Sequence, residues 1–121
     1  MQPITFKKEA AQGDLLLTRI DGIPLTKAIA EPLTPRADGK IVISHKDSNH
    51  PHVLMNSEMV SVVPSTDEYI LYATVTSDVV LSHEKTGPHA HLPLLLKPGV
   101  YEIRRQREQN HVTRSWQRAA D

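Results

Sequence analysis

Histidines fall in two short windows of the chain, and this clustering is the strongest chemical signal in the sequence. Residues 44–54 and residues 81–101 each contain one histidine that is followed, after a few residues, by a His-x-His pair. The six are His45, His50 and His52 in the first window and His83, His89 and His91 in the second. Imidazoles repeated at this spacing predict a metal site, although they do not name a reaction.

The spacing suits metal coordination if the histidine pairs lie on β-strands. Alternate side chains of a strand point to one face, and neighbouring strands lie about 4.8 Å apart. Two such pairs could therefore surround an ion with nitrogen bonds of about 2.0 to 2.1 Å. The chain has no cysteine, so the ligands must be nitrogen and oxygen atoms. These suit a divalent transition metal such as zinc, iron, manganese or nickel. Glu58 and Glu84 are the nearest carboxylates that could complete the set.

The histidine windows are also compatible with roles that involve no catalytic metal. Histidines beside Ser, Asp, Asn and Pro in loops are often only solvated or hydrogen-bonded to backbone. A site with an open coordination position would be catalytic, whereas a closed four-ligand site would be structural. His111 lies outside both windows and is not predicted to bind metal.

The segment RRQRE, residues 104–108, is the second unusual feature. If Tyr101 and Ile103 face the core, strand alternation carries Arg105 and Arg107 on the same side. Their guanidinium groups could then bind the carboxylate or phosphate of a small anionic molecule beside the metal. The alternative is that the strand runs into solvent or forms a partner-binding surface.

Short apolar and β-branched runs, separated by turn signals, must position these side chains. The run LLLTRI at residues 15–20 follows Gly13-Asp14 and predicts a buried strand rather than a helix. Similar runs recur along the chain and predict seven or eight strands in an all-β barrel or sandwich. The spacing of Val112, Trp116 and Ala119 predicts a short C-terminal helix.

Length and composition limit the organisation and the partners. At 121 residues, the chain is expected to form a single domain, residues 1–121. Its fourteen acidic and fourteen basic residues cancel, so no overall field recruits nucleic acid. The opening MQPITFKKEAAQGD lacks the apolar run of a signal peptide, and no stretch approaches the roughly 20 apolar residues of a membrane span. We therefore expect a cytoplasmic protein without membrane contact, and homo-oligomer formation stays open.

Two resemblances add to these expectations. The His-x-His pattern with LKPGVYEI downstream resembles the cupin superfamily, which implies a metal held inside a jelly-roll barrel. The sequence departs from the cupin pattern at two points. Asn56 stands where the cupin glutamate is expected. The last cupin histidine follows a Pro-Gly turn, whereas the histidines of both windows precede Pro98-Gly99.

The second resemblance covers more of the chain. The order AQGDLLLTRIDGIP, His-x4-His-x-His-Val, His-Glu and LPLLLKPGVYEIRRQRE is similar to a group of small uncharacterised proteins of bacteria and their phages. Counted back from Pro98-Gly99, the matching histidine of the second window is His91, which makes His89 a local addition. This resemblance implies no activity.

Three hypotheses of function follow. The first is a metal-dependent enzyme that uses His50, His52, His83 and His91. The second is a non-catalytic domain whose loops are joined by a structural metal, as small scaffolds often require. The third is a phage-associated interaction protein that uses RRQRE and the C-terminal segment as its contact surface.

Overall fold

A computed structural model describes residues 2–24, 31–44, 50–84 and 92–105, and these residues form ten β-strands and one 3-10 turn. The strands are β1 (Ile4–Thr5), β2 (Glu9–Gln12), β3 (Leu15–Ile20), β4 (Ile41–Val42), β5 (His52–Leu54), β6 (Val60–Pro64), β7 (Ile70–Val75), β8 (Val79–His83), β9 (Leu94–Leu96) and β10 (Gly99–Arg105). The 3-10 turn is Ser57–Met59, between β5 and β6.

The strands are arranged in two sheets of five. The first sheet has the order β1-β9-β8-β5-β4, and the second has the order β2-β3-β10-β7-β6. The pairing of β1 with β9 is parallel, and the other pairings in the described residues are antiparallel. Both histidine windows contribute strands to the first sheet, while the RRQRE segment begins in the second.

One hydrophobic cluster draws on both sheets. The second sheet contributes Leu15, Leu17, Tyr101 and Ile103, and the first contributes Leu54, Leu81 and Leu96, among others. Most of these side chains alternate along their strands with more exposed ones, as expected where one face of a sheet is buried, whereas all three residues of β5 are buried. Burying each of the leucines contributes about 1.5 to 3 kcal/mol relative to an exposed side chain.

The turn at Gly13-Asp14 joins β2 to β3 and fixes where the second sheet meets the histidines. Gly13 has a φ of 60°, which a glycine adopts without the steric penalty of a Cβ atom. Residues 15–20 form the predicted strand. Its pattern differs from a run buried on both faces, because Leu15 and Leu17 are buried and Leu16 is only half-buried.

The all-β prediction is confirmed, and two details differ from it. Within the described ranges the strands form two sheets with no closed barrel, so a cupin-like barrel is not confirmed. The strand count exceeds seven or eight because the polar lead forms β1 and β2, which carry too few apolar residues to stand out in the sequence. The predicted C-terminal helix lies outside the described residues. In the described part of the chain, no helix has the length and apolar character needed to cross a membrane.

Candidate functional site

Strand pairing brings the two histidine windows together. His52 begins β5 and His83 ends β8, and the two are register partners in the antiparallel pairing of these strands. Residues of both windows therefore lie at the same end of the first sheet. Their similar sequence pattern predicts this neighbourhood, and the register confirms it for the described histidines.

Three imidazole rings lie close to one another at this end. The rings of His52 and His83 are stacked, with their centroids 4.2 Å apart and an angle of 11° between their planes. The ring of His50 meets His83 edge-on, at 6.2 Å and 88°. His52 is only 3% exposed, whereas His50 is exposed and His83 is half-buried. The cluster therefore extends from the protein interior to the surface.

Backbone hydrogen bonds fix the position of His52 in the first sheet. Its amide nitrogen donates to Oγ of Ser44 at 3.2 Å, and its carbonyl oxygen accepts from the amide of Ile43 at 2.9 Å. The carbonyl oxygen of Pro51 accepts from the amide of Glu84 at 2.8 Å. These bonds hold the start of β5 between its two neighbours in the first sheet, which limits the positions that the His52 ring can take.

Gln12, at the end of β2 in the second sheet, determines the orientation of the His52 ring. Its Nε2 donates to the carbonyl oxygens of Leu81, at 3.1 Å, and Leu92, at 2.7 Å. Its Oε1 lies 2.7 Å from Nδ1 of His52. At 2% exposed, the Gln12 amide is buried together with the ring that it contacts.

These contacts assign the tautomer of His52. Because the amide nitrogen of Gln12 must face the two carbonyl oxygens, its oxygen is the atom that faces Nδ1. Nδ1 of His52 therefore carries a hydrogen and donates it to Gln12. In the neutral ring the lone pair then lies on Nε2, the atom that would take up a proton or a metal ion. Metal-binding histidines commonly donate their other ring N–H to an oxygen in this way.

Asp14 brings a carboxylate to the same side of the His52 ring. Its Oδ1 lies 3.8 Å from Nε2 of His52, and its side chain is 29% exposed. Asp14 and Gln12 flank Gly13 at the β2–β3 turn, so the second sheet contributes two polar side chains to a cluster built on the first. Sequence reasoning missed both residues. One signal was present: Gln12 alternates with Ala10, which packs against the core, so its side chain shares the inward face of β2.

Glu84, expected to approach the histidines, is bound by an arginine. Nη1 and Nη2 of Arg36 donate to Oε1 and Oε2 of Glu84, both at 2.7 Å, and Nη2 also lies 2.7 Å from Oδ2 of Asp38. Hydrogen bonding to Arg36 lowers the pKa of the carboxyl groups of Glu84 and Asp38. The same hydrogen bonds raise the pKa of Arg36, and the bond to Glu84 has the larger effect. This two-point contact ties the residue after His83 to the turn that precedes β4.

Glu58, the other expected carboxylate, lies at the opposite end of β5 from His52. It is exposed on the 3-10 turn Ser57–Met59, which follows Leu54 at the end of that strand. Its position makes it a poor partner for the histidine cluster.

Arg105 follows the predicted strand parity, and its guanidinium is bound to a backbone carbonyl oxygen. Like Tyr101 and Ile103, it lies at an alternate position of β10, opposite Leu15 of β3. Its guanidinium Nη2 donates to the carbonyl oxygen of Glu68, on the side of β10 where β7 lies. Burial lowers the pKa of Arg105. The guanidinium is thus bound on the side of β10 opposite to β3.

The remaining predicted residues, His45, His89, His91 and Arg107, lie outside the described residues. Within residues 2–24, 31–44, 50–84 and 92–105, no group of three or more His, Asp or Glu side chains is arranged to hold a metal ion. The described part of the cluster therefore consists of His50, His52 and His83, with Gln12 and Asp14 against His52.

Comparison with known proteins identifies a family. The family model described as "Domain of unknown function (DUF8820)" matches residues 11–106. The chain belongs to this family. The match includes both histidine windows, the β2–β3 turn and Arg105, and it confirms the expectation of an uncharacterised family. No curated protein and no solved structure matches the chain.

Proposed function

We propose that this protein binds a divalent transition metal at the histidine cluster, with zinc, iron, manganese or nickel as the candidates. His52 is the central ligand, His83 and His50 stand beside it, and His91, His45 and His89 are the other candidates from the two windows. The observation that carries the proposal is the hydrogen bond from Nδ1 of His52 to Gln12 at 2.7 Å.

This bond supports metal binding because it leaves the lone pair on Nε2. A buried histidine needs hydrogen-bond partners to offset its desolvation. For His52 that partner is a glutamine whose own amide group is held by two carbonyl oxygens. A ring oriented through an oxygen on Nδ1 matches the arrangement around metal-binding histidines, where the outer partner fixes both tautomer and direction.

The position of His83 also supports the proposal. Two nitrogens bound at about 2.0 to 2.1 Å to one tetrahedral ion are about 3.4 Å apart. The two rings are stacked, with centroids 4.2 Å apart and nearly parallel planes, so His83 must turn out of the stack before one of its nitrogens can share an ion with His52. The antiparallel register keeps the two residues adjacent while their rings adjust.

The guanidinium of Arg105 is bound to the Glu68 carbonyl, so it gives no support to an anionic substrate held beside the metal. The expected cytoplasmic location, cupin-like architecture and C-terminal helix accompany the proposal as predictions.

Metal titration of the tag-free protein, after treatment with a chelator, tests the proposal. We expect about one ion per chain by elemental analysis and by calorimetric titration with zinc, nickel, manganese or iron(II). His52→Ala should lose this binding, because the central ligand is removed. His111→Ala, which changes a histidine outside both windows, should bind as the wild type does. Absence of binding and of any thermal shift with all four ions would contradict the proposal.

A further inference from the structure

We propose that Asp14 is a carboxylate ligand of this metal, so that the ion is held between the two sheets. The inference rests on the proposed metal binding and adds a ligand that lies outside both histidine windows. Asp14 reaches the cluster from the β2–β3 turn of the second sheet, whereas His52 and His83 belong to the first.

The distance between Asp14 and His52 fits a shared ion after a small adjustment. Nε2 of His52 and Oδ1 of Asp14 are 3.8 Å apart, and the ligand atoms of a tetrahedral zinc ion are about 3.4 Å apart. A shift of a few tenths of an ångström in the Asp14 side chain closes the difference. The Asp14 side chain is 29% exposed, whereas the His52 ring is 3% exposed and contacts Gln12.

The tautomer of His52 determines which of its atoms can share an ion with Asp14. Nδ1 is bound to Gln12, so Nε2 is the atom that binds the ion, and Nε2 is the atom near Asp14. The backbone supports this approach, because Gly13 turns the chain sharply between Gln12 and Asp14. A three-residue segment therefore contributes both the group that orients the imidazole and the carboxylate beside it.

The chemistry of the donor set also favours a carboxylate at this position. A divalent ion bound only by neutral imidazoles keeps its full charge in a partly buried site. One carboxylate ligand offsets part of that charge, and histidine with a carboxylate is a common set for zinc, iron and manganese. The described geometry favours Asp14 because its Oδ1 lies 3.8 Å from Nε2 of His52, whereas Glu58 lies beyond the other end of β5.

Zinc titration of the full, tag-free chain tests the inference with a matched pair of variants. Asp14→Asn removes the charge but keeps the size of the side chain, and Asp21→Asn makes the same change at the exposed position that follows the other end of β3. We expect Asp14→Asn to bind zinc at least about tenfold more weakly than the wild type, and Asp21→Asn to bind with unchanged affinity. The circular dichroism spectrum of both variants should match that of the wild type.

The outcomes separate this inference from the proposal on which it rests. If the wild type takes up neither zinc nor nickel, manganese or iron(II), metal binding itself is wrong, and the Asp14 assignment falls with it. If the wild type binds zinc and both aspartate variants bind equally well, the cluster binds metal without Asp14. The carboxyl carbon of Asp14, followed by NMR in the wild type, gives a second readout. Its resonance should shift on zinc addition, and an unchanged resonance at saturation would contradict a direct bond.

Discussion

Gln12 and His52 lie on different sheets and 40 positions apart in the sequence, yet their side chains form a buried hydrogen bond of 2.7 Å between Oε1 and Nδ1. The amide nitrogen of Gln12 also donates to the carbonyl oxygens of Leu81, in β8, and Leu92, just before β9, so one side chain links β2 to the first sheet and its connection through three bonds. The same bonds select the tautomer of His52. Stability and site geometry therefore depend on the same residue.

Replacing Gln12 by leucine should destabilise the fold. The change keeps the approximate size of the side chain but leaves the ring N–H of His52 and the two carbonyl oxygens without their partner. Each buried polar group left unsatisfied costs about 1 to 3 kcal/mol, so a loss of several kcal/mol in the free energy of unfolding is expected from urea denaturation. Gln2→Leu, at an exposed position, is the matched control and should change stability little. Equal stability of the two variants would show that the buried bonds contribute nothing.

The contact between Arg36 and Glu84 should make the free energy of unfolding depend on pH in the acidic range. Arg36 lowers the pKa of Glu84 from its ordinary value of 4.5, so the folded state favours the ionised carboxylate. A carboxyl group whose pKa is lowered by folding stabilises the folded state at pH values above its ordinary pKa. This stabilisation is lost as the pH falls through the pKa of the folded state. We therefore expect Arg36→Met to be less stable than the wild type at pH 7, with the difference disappearing in acid below the pKa of Glu84.

Urea unfolding of both proteins across this pH range provides the measurement. Arg104→Met is a suitable control, because Arg104 is exposed and its guanidinium bonds to Glu102 on the same strand. A stability difference for Arg36→Met that persists unchanged at low pH would show that the effect comes from packing of the side chain rather than from its charge.

Arg105 tests whether the RRQRE segment participates in the site. Its guanidinium donates to the Glu68 carbonyl on the β7 side of β10. Arg105→Met should therefore lower the free energy of unfolding by on the order of 1 kcal/mol through the lost hydrogen bond, while zinc affinity remains that of the wild type. Calorimetric titration and urea denaturation of the same preparation give both values. A large loss of zinc affinity in a folded Arg105→Met protein would instead connect this arginine to the metal.

The sequence was informative where local patterns decide the structure. Glycine-bounded apolar runs predicted strands such as β3, and the repeated histidine pattern predicted that the windows would meet, as the pairing of His52 with His83 shows. The strand parity of Arg105 also followed from alternation. In each case the information lies within a few residues of the chain.

The contacts across the sheets could not be predicted in the same way. Gly13-Asp14 has the composition of an ordinary turn, and nothing local indicates that this turn packs against a histidine 38 positions later in the chain. Glu84 was expected near the metal because it follows His83, whereas its orientation is set by Arg36, 48 positions earlier in the chain. Both results depend on how the two sheets and the connections between them pack, which periodicity does not encode.

The most direct test of metal binding by His52 is the long-range proton–nitrogen NMR spectrum of its imidazole, recorded before and after zinc is added. The resonances are assigned by their absence in His52→Gln. Before zinc is added, we predict a protonated, pyrrole-type Nδ1 and a pyridine-type Nε2. Saturating zinc should shift the Nε2 resonance, while Nδ1 keeps its proton and continues to donate it to Gln12. A pyridine-type Nδ1 in the metal-free protein, or a His52 spectrum that zinc leaves unchanged, would contradict the proposed site.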